Sequence, residues 1–361
     1  MTEKRLSRVG LFAPFVIVLV VLAGWTVWWF HLAGQVRDRI GGQVAALNDA
    51  GWAVSHSKTE IGGWPFRVRV SLGQTRVAAP SGQALSSSDL VAQANAWNPT
   101  TWVMASSGEL VLTRGEKGDV AIGGEARMSL HGLSQRWPNV AVELIRPTFT
   151  PMPAAGAVAE PFPLSRAGQI QFYLRPHLAP AGTPGADTSV DILLRLLDAE
   201  GRTGGPVEAF AQSGKLTAQI EAVIERADRI SGVNPSGVFS AWSLAGGRFS
   251  RIRGEITAGE SRALVSSDSL MAGPDGRLQG NVTLDATRPL PALVGLLRSG
   301  GATGPLLNSP MGQAAIDGLS GSGPTPAGAP APTEDVKLSV AFREGRTWLG
   351  PFPLAPAPKL F

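Results

Sequence analysis

The chain has 361 residues, of which 43% are hydrophobic and 17% are charged, a balance that excludes an intrinsically disordered protein. It contains no cysteine, which excludes a disulfide framework and lipid attachment through an N-terminal cysteine. The net charge is +4, and residues 1–33 carry three of the cations and one of the anions; the +2 that remains elsewhere is too small for a nucleic-acid partner to be expected.

An uncharged apolar segment, residues 9–30, predicts a transmembrane helix, because 22 residues of helix match the roughly 30 Å thickness of a bilayer's hydrocarbon core. Three basic residues and one acidic residue precede it: Lys4, Arg5, Arg8 and Glu3. Since cations resist transfer across a membrane, residues 1–8 are predicted to stay in the cytoplasm and the rest of the chain to lie on the other side.

The far end of this segment is aromatic, with Trp25, Trp28, Trp29 and Phe30 close together. Indole rings prefer the headgroup layer of a bilayer, where one end of the side chain is apolar and the other is wet. We therefore predict that these four residues lie at the membrane interface.

The alternative is a cleaved signal peptide, with Val21-Leu22-Ala23 as its cleavage site. Cleavage there would leave an exposed apolar terminus beginning at Gly24, with no evident partner in water. A signal anchor that is retained is the favoured interpretation.

Residues 31–50 predict a juxtamembrane helix, because Val36, Ile40, Val44 and Leu47 recur at helical spacing. This helix is expected to continue the anchor or to cap the domain that follows. We assign residues 51–361 to one exported β-rich domain.

The clearest strand is residues 66–72, in which apolar and polar residues alternate strictly. Phe66, Val68, Val70 and Leu72 are expected to share one face, and we predict that they line a hydrophobic groove. The same period of two recurs, with Gly or Pro between the runs, at residues 90–94, 110–112, 126–130, 140–144, 170–174, 190–196, 216–224, 282–284 and 336–342.

Repeated short strands without long crossover helices predict a mainly β fold: an extended, twisted, mostly antiparallel sheet that curls into a groove. A turn at Pro274-Asp275-Gly276 predicts a hairpin, and a second hairpin around Gly345 is expected to return the C-terminus to the sheet. Short helices are predicted at residues 290–298 and 311–319, and loop tracts at 151–163 and 321–333.

No catalytic or metal-binding motif is complete. The histidines His31, His56, His131 and His177 lie far apart, and Gly214-Lys215 is not followed by the hydroxyl residue of a phosphate loop. We therefore predict no catalytic residue, no metal, no cofactor and no enzymatic activity.

Three further tryptophans, Trp64, Trp97 and Trp137, each lie one or two residues before a proline at the end of a predicted strand. Packing into the core is the favoured interpretation. The alternative is that they line a channel for an apolar ligand.

Three segments resemble one bacterial family, the domain of unknown function 2125: Gly63-Trp64-Pro65-Phe66-Arg67-Val68, Ala96-Trp97-Asn98-Pro99, and residues 340–354 (VAFREGRTWLGPFPL). The resemblance implies a membrane-anchored periplasmic protein to which no activity is assigned. The strand pattern is also similar to that of the AsmA-like superfamily, whose curved sheets are thought to shelter lipid chains.

The resulting functional hypothesis is a protein of the bacterial inner membrane whose periplasmic sheet binds a lipid or another hydrophobic ligand in envelope maintenance. The alternative is a scaffold for envelope proteins, in which the sheet is closed and filled by its own side chains. A hydrolase is a third hypothesis, which an alanine scan of Ser, His and Asp residues would test.

Overall fold

The structure, a computed structural model, describes residues 8–106, 108–152, 161–180, 182, 185–212, 214–231, 236–289, 292, 335–350 and 352–361. The predicted tract at 321–333 and helix at 311–319 lie outside these residues. So do residues 153–160 of the tract at 151–163, and all of the predicted helix at 290–298 except residue 292.

The chain begins with one long helix, α1 (Arg8–Asp49), so the predicted span and the predicted juxtamembrane helix form a single uninterrupted element. Its 42 residues correspond to about 63 Å, roughly twice the thickness of a hydrocarbon core. In the described part of the chain it is the one helix long and apolar enough to cross a membrane. Short α-helices with described bounds follow later, α2 (Pro206–Phe210) and α3 (Ser240–Leu244), each of about one turn.

The rest of the described chain is mainly β, which confirms the predicted fold class. The strands are β1 (Ala53–Ser55), β2 (Thr59–Gly62), β3 (Arg67–Ala78), β4 (Gln83–Asn95), β5 (Asn98–Ser106), β6 (Leu110–Arg114), β7 (Asp119–His131), β8 (Asn139–Pro151), β9 (Leu164–Arg166), β10 (Gln169–Pro176), β11 (Val190–Gly201), β12 (Leu216–Ile224), β13 (Arg248–Ala258), β14 (Ser261–Ala272), β15 (Leu278–Thr287), β16 (Asp335–Arg343), β17 (Arg346–Leu349) and β18 (Phe352–Pro356).

These strands form one antiparallel sheet in which neighbours in the chain are neighbours in space. From β10 to β18 each strand pairs with the next. In the first half, three pairs of short strands each occupy the length of one long strand: β1 with β2 beside β3, β5 with β6 between β4 and β7, and β9 with β10 between β8 and β11. Both predicted hairpins are confirmed, as β14–β15 and β16–β17.

A line of β-bulges crosses the first half of the sheet. Gly124 in β7, Arg146 in β8 and Asp198 in β11 have φ values of 95°, 50° and 51°, at or beside interruptions of the strand pairing. The interruptions are adjacent in space, because the Arg146 amide donates to Gly168 O and the Gly168 amide donates to Leu197 O, each at 2.9 Å. Since a bulge bends its strand, a line of bulges folds the whole sheet.

The packing shows which face lies inside this fold. One buried cluster joins side chains from both sides of the bulges in β8 and β11: Leu144 with Phe149, and Leu196 with Ala199. Because one packed cluster spans the bend, we assign the face that carries it to the inner, concave side of the sheet.

Gly124 should be the most sensitive glycine on this line. A Cβ atom there would lie 2.6 Å from the backbone oxygen of Ile145, in a left-handed conformation that itself costs an L-residue about 1–2 kcal/mol. We expect Gly124→Ala to lower the free energy of unfolding by about 2 kcal/mol, measured by urea titration of the full chain in detergent. Gly62→Ala is the control, because a Cβ atom at Gly62 meets no atom within 4 Å. Equal stability of the two variants would contradict the role of the bulge.

Candidate functional site

The strand register aligns apolar residues from eight strands in one continuous row. Each member is paired directly with the next, and paired residues point to the same face of a sheet. We call this set the apolar row: Val70, Ala92, Met104, Met128, Val142, Phe172, Leu194 and Ile220. With neighbouring strands about 4.8 Å apart, the row is roughly 34 Å long.

The rows on either side of it are also mostly apolar, and parts of both are packed. On one side, Leu144, Ile170 and Leu196 contact the cluster at the bend of the sheet. On the other side, Leu174 and Ile192 contact a cluster around Trp242. In β10 and β11 the apolar row therefore runs between packed side chains on both sides.

The middle of the apolar row is only partly covered. Met104, Met128, Val142 and Phe172 are half-buried, and Leu194 is 43% exposed. Contiguous apolar surface that remains accessible to water is unusual in a soluble protein and marks a binding surface. Flexible methionines at two adjacent positions suit a surface that adapts to its ligand.

The opposite face of the same strands is polar. Glu143, Gln171, Arg195 and Gln219 are paired in sequence across β8, β10, β11 and β12. Gln171 Nε2 and the Tyr173 hydroxyl both donate to Glu143 Oε1, at 3.5 Å and 3.0 Å. The pKa of Tyr173 is raised, mainly by burial and to a smaller extent by the hydrogen bond of its hydroxyl to Glu143 and by the charge of Glu143. The sheet therefore has one apolar face and one hydrogen-bonded polar face.

The four predicted groove residues lie at one end of the apolar face, and they do not share one environment. Val70 belongs to the apolar row and is buried, Val68 is buried beneath α1, and Leu72 is half-buried. Phe66 precedes β3 and is exposed. The accessible part of the row lies further along the sheet, at Met104 to Leu194. The sequence predicts the individual strands that contribute to the apolar row from their alternation, but the alignment of these strands depends on long-range pairing.

The four predicted interface residues divide into two pairs. Trp28 and Phe30 are exposed. Trp25 Nε1 and Trp29 Nε1 donate to Pro65 O and Arg67 O, both at 2.8 Å. Trp29 is only 5% exposed, because it packs with Leu32 and Ala33 of α1 against the sheet. This second pair joins α1 to the sheet.

The prediction that Trp64 and Trp97 pack in the core is wrong. Both are exposed on turns, and the Trp97 ring contacts Phe66 edge to face at a centroid distance of 6.5 Å. Trp137, by contrast, is half-buried against the cluster around Trp242. A proline beside a tryptophan therefore did not distinguish a core position from an exposed turn.

Among the residues that the structure describes, no group of three or more His, Cys, Asp or Glu side chains has the arrangement of a metal site. The most distinctive surface of the described chain is thus the apolar row rather than a polar cluster.

Comparison with known proteins identifies a family. No curated protein and no solved structure matches the chain. The sequence profile of a bacterial family described as "Uncharacterized protein conserved in bacteria (DUF2125)" matches residues 29–358, which include the whole of the described sheet. The chain therefore belongs to the DUF2125 family of uncharacterised bacterial proteins.

Proposed function

We propose that α1 anchors the protein in the bacterial inner membrane and that the periplasmic sheet binds the acyl chain of a lipid along the apolar row, in a role that maintains the envelope. The observation that carries the proposal is the unbroken register that aligns eight apolar residues across the concave face. The basic residues that precede the apolar segment support a cytoplasmic N-terminus.

The shape and chemistry of the row favour an acyl chain over a polar ligand. The row is long, roughly 34 Å, and in β10 and β11 it is bounded on both sides by packed apolar side chains. Its members offer no hydrogen-bonding side chain. Burial of an apolar chain there would be driven by about 25 cal/mol for each Å² of apolar surface removed from water. The proposal assigns no reaction to the protein.

Two exposed leucines provide a direct test. Leu194 lies in the apolar row and is 43% exposed, whereas Leu264 is 50% exposed and lies on the opposite face, in line with Arg195, Gln219 and Glu255. We expect a photo-crosslinking amino acid at position 194, activated in intact cells, to give an adduct with the mass of a membrane lipid. At position 264 the yield of that adduct should be at least tenfold lower, as measured by mass spectrometry.

The same experiment separates the proposal from the scaffold hypothesis. A defined protein adduct at position 194, without lipid, would favour a scaffold for envelope proteins. Equal lipid adducts at positions 194 and 264 would show only that the domain touches the bilayer, and would contradict binding along the apolar row.

A further inference from the structure

Three exposed aromatic side chains lie together at one end of the sheet. Trp64 and Phe66 occupy the turn between β2 and β3, and Trp97 occupies the turn between β4 and β5. Their exposed fractions are 48%, 64% and 61%. Neighbouring exposed aromatic side chains mark an interaction surface. We call these three residues the aromatic turn cluster.

The contacts of α1 fix the position of this cluster along the helix. Trp25 and Trp29 are one helical turn apart, and they donate to the backbone oxygens of Pro65 and Arg67, which flank Phe66. Both tryptophans lie near the far end of the apolar segment 9–30, beside the exposed Trp28 and Phe30. The turn that carries Trp64 and Phe66 is therefore level with the last turns of the proposed membrane span.

Exposed hydrophobic side chains are distributed unequally over the turns at the two ends of the strands. The turns at the same strand ends as the aromatic turn cluster also expose Leu133, Leu178 and Leu244. In the described loops at the opposite strand ends, no large hydrophobic side chain is exposed. The strand ends that carry the aromatic turn cluster are thus the ones at which described turns expose large hydrophobic side chains, beside ion-paired residues such as Arg136 and Asp187.

We infer that Trp64, Phe66 and Trp97 insert into the interface of the membrane leaflet from which α1 emerges, so that the sheet rests on the bilayer by its β2–β5 end. The partner is a lipid surface, because the cluster is continuous with the exposed aromatic residues of the span itself. Aromatic side chains are the ones that favour the boundary between headgroups and acyl chains. This inference rests on the proposed anchor, but not on lipid binding along the apolar row.

The apolar row begins close to the aromatic turn cluster. Val68, beneath Trp29, and Val70, the first member of the apolar row, lie on the same face of β3 and are both buried. With the aromatic turn cluster in the interface, these two residues lie near the bilayer surface but are covered. The part of the row that is open to a lipid chain therefore lies further along the sheet, at Met104 to Leu194.

The natural absence of cysteine allows a clean test in the full-length protein. Single variants Trp64→Cys, Phe66→Cys and Trp97→Cys each leave two of the three aromatic side chains in place. Each variant is labelled with a polarity-sensitive fluorophore and reconstituted into phosphatidylethanolamine–phosphatidylglycerol vesicles. Quenching by lipids with a nitroxide on the acyl chain is compared with quenching by iodide present on both sides of the membrane.

The matched controls are Leu85→Cys and Leu264→Cys, since both leucines are exposed to a similar degree but lie away from the strand ends that carry the aromatic turn cluster. We expect the labels at 64, 66 and 97 to be quenched by the nitroxide lipids and to be at least fivefold less accessible to iodide than the control labels.

A further variant, Val20→Cys, reports on the anchor alone. If the label at 20 is quenched by the nitroxide lipids but those at 64, 66 and 97 behave like the controls, the inference is overturned while the anchor stands. If the label at 20 also stays accessible to iodide, the anchor of the proposed function is contradicted, and the inference is overturned with it.

Discussion

Replacement of Trp242 by alanine is expected to lower the free energy of unfolding by about 3–5 kcal/mol, the largest effect of any single substitution considered for this chain. Trp242 is fully buried in α3, where it packs with Val190, Ile224 and Ala227. Its Nε1 donates to Glu225 O at 2.7 Å. Removal of the indole would leave both a cavity and a buried carbonyl without its donor, and each is destabilising.

The neighbouring Leu244 offers a matched control, because it lies in the same short helix but is 85% exposed. Leu244→Ala should change the free energy of unfolding by less than about 0.5 kcal/mol. Urea unfolding of the full chain in detergent, followed by circular dichroism, measures both variants. A Trp242→Ala protein as stable as the Leu244→Ala protein would show that the cluster around Trp242 is not a core of the domain.

The strands could be recognised from the sequence because alternation is a local property. Residues 140–144, for example, read as one face of a strand, and they lie in β8 as expected. The true strand continues to Pro151, however, beyond the extra residue at Arg146. A bulge breaks the period of two, so the pattern alone stops where the strand bends. The sequence therefore predicts that the sheet curves, but not at which residues it bends.

The apolar row illustrates what local patterns leave open. Val142 and Leu194 are each part of an alternating run, but their shared row follows from the pairing of β8, β10 and β11. Such pairing depends on the whole set of turns and bulges between the strands. The candidate groove was consequently placed at residues 66–72, the clearest single strand, rather than on the strands where the apolar surface is accessible.

The spacing of the aromatic residues in α1 contains information about which of them contact the sheet. Positions 25 and 29 are four residues apart and so lie on one face of a helix, whereas position 30 points away from that face and position 28 lies at its border. Composition alone predicts one environment for all four aromatic residues, because it does not reveal which face of the helix meets protein. The structure assigns Trp25 and Trp29 to the sheet and leaves Trp28 and Phe30 exposed.

This division links α1 to the apolar row. The side chain of Trp29 packs on Val68, and the strand that carries Val68 also carries the first member of the apolar row. A change in the docking of α1 would therefore alter both the depth of the aromatic turn cluster and the end of the apolar face. α1 is therefore a structural part of the domain.

Trp29→Ala should accordingly release the sheet from α1 without unfolding it. The loss of a buried indole and of its hydrogen bond to Arg67 O is expected to weaken docking by about 3 kcal/mol, which corresponds to a shift of about 100-fold towards the undocked state. The measurement is the distance between spin labels at Asp38→Cys and Arg69→Cys, two exposed positions on α1 and β3. The distribution should be narrow in the parent protein and broad in the variant.

Trp28→Ala is the matched control, since Trp28 is the preceding residue of the same helix and is 47% exposed. That substitution should leave the distance distribution narrow, because its side chain faces away from the sheet. The circular dichroism of both variants should match that of the parent, which separates undocking from unfolding. If Trp28→Ala broadens the distribution as much as Trp29→Ala, the loss of aromatic contact with the membrane would account for the change, and the specific docking of Trp29 on Val68 would be contradicted.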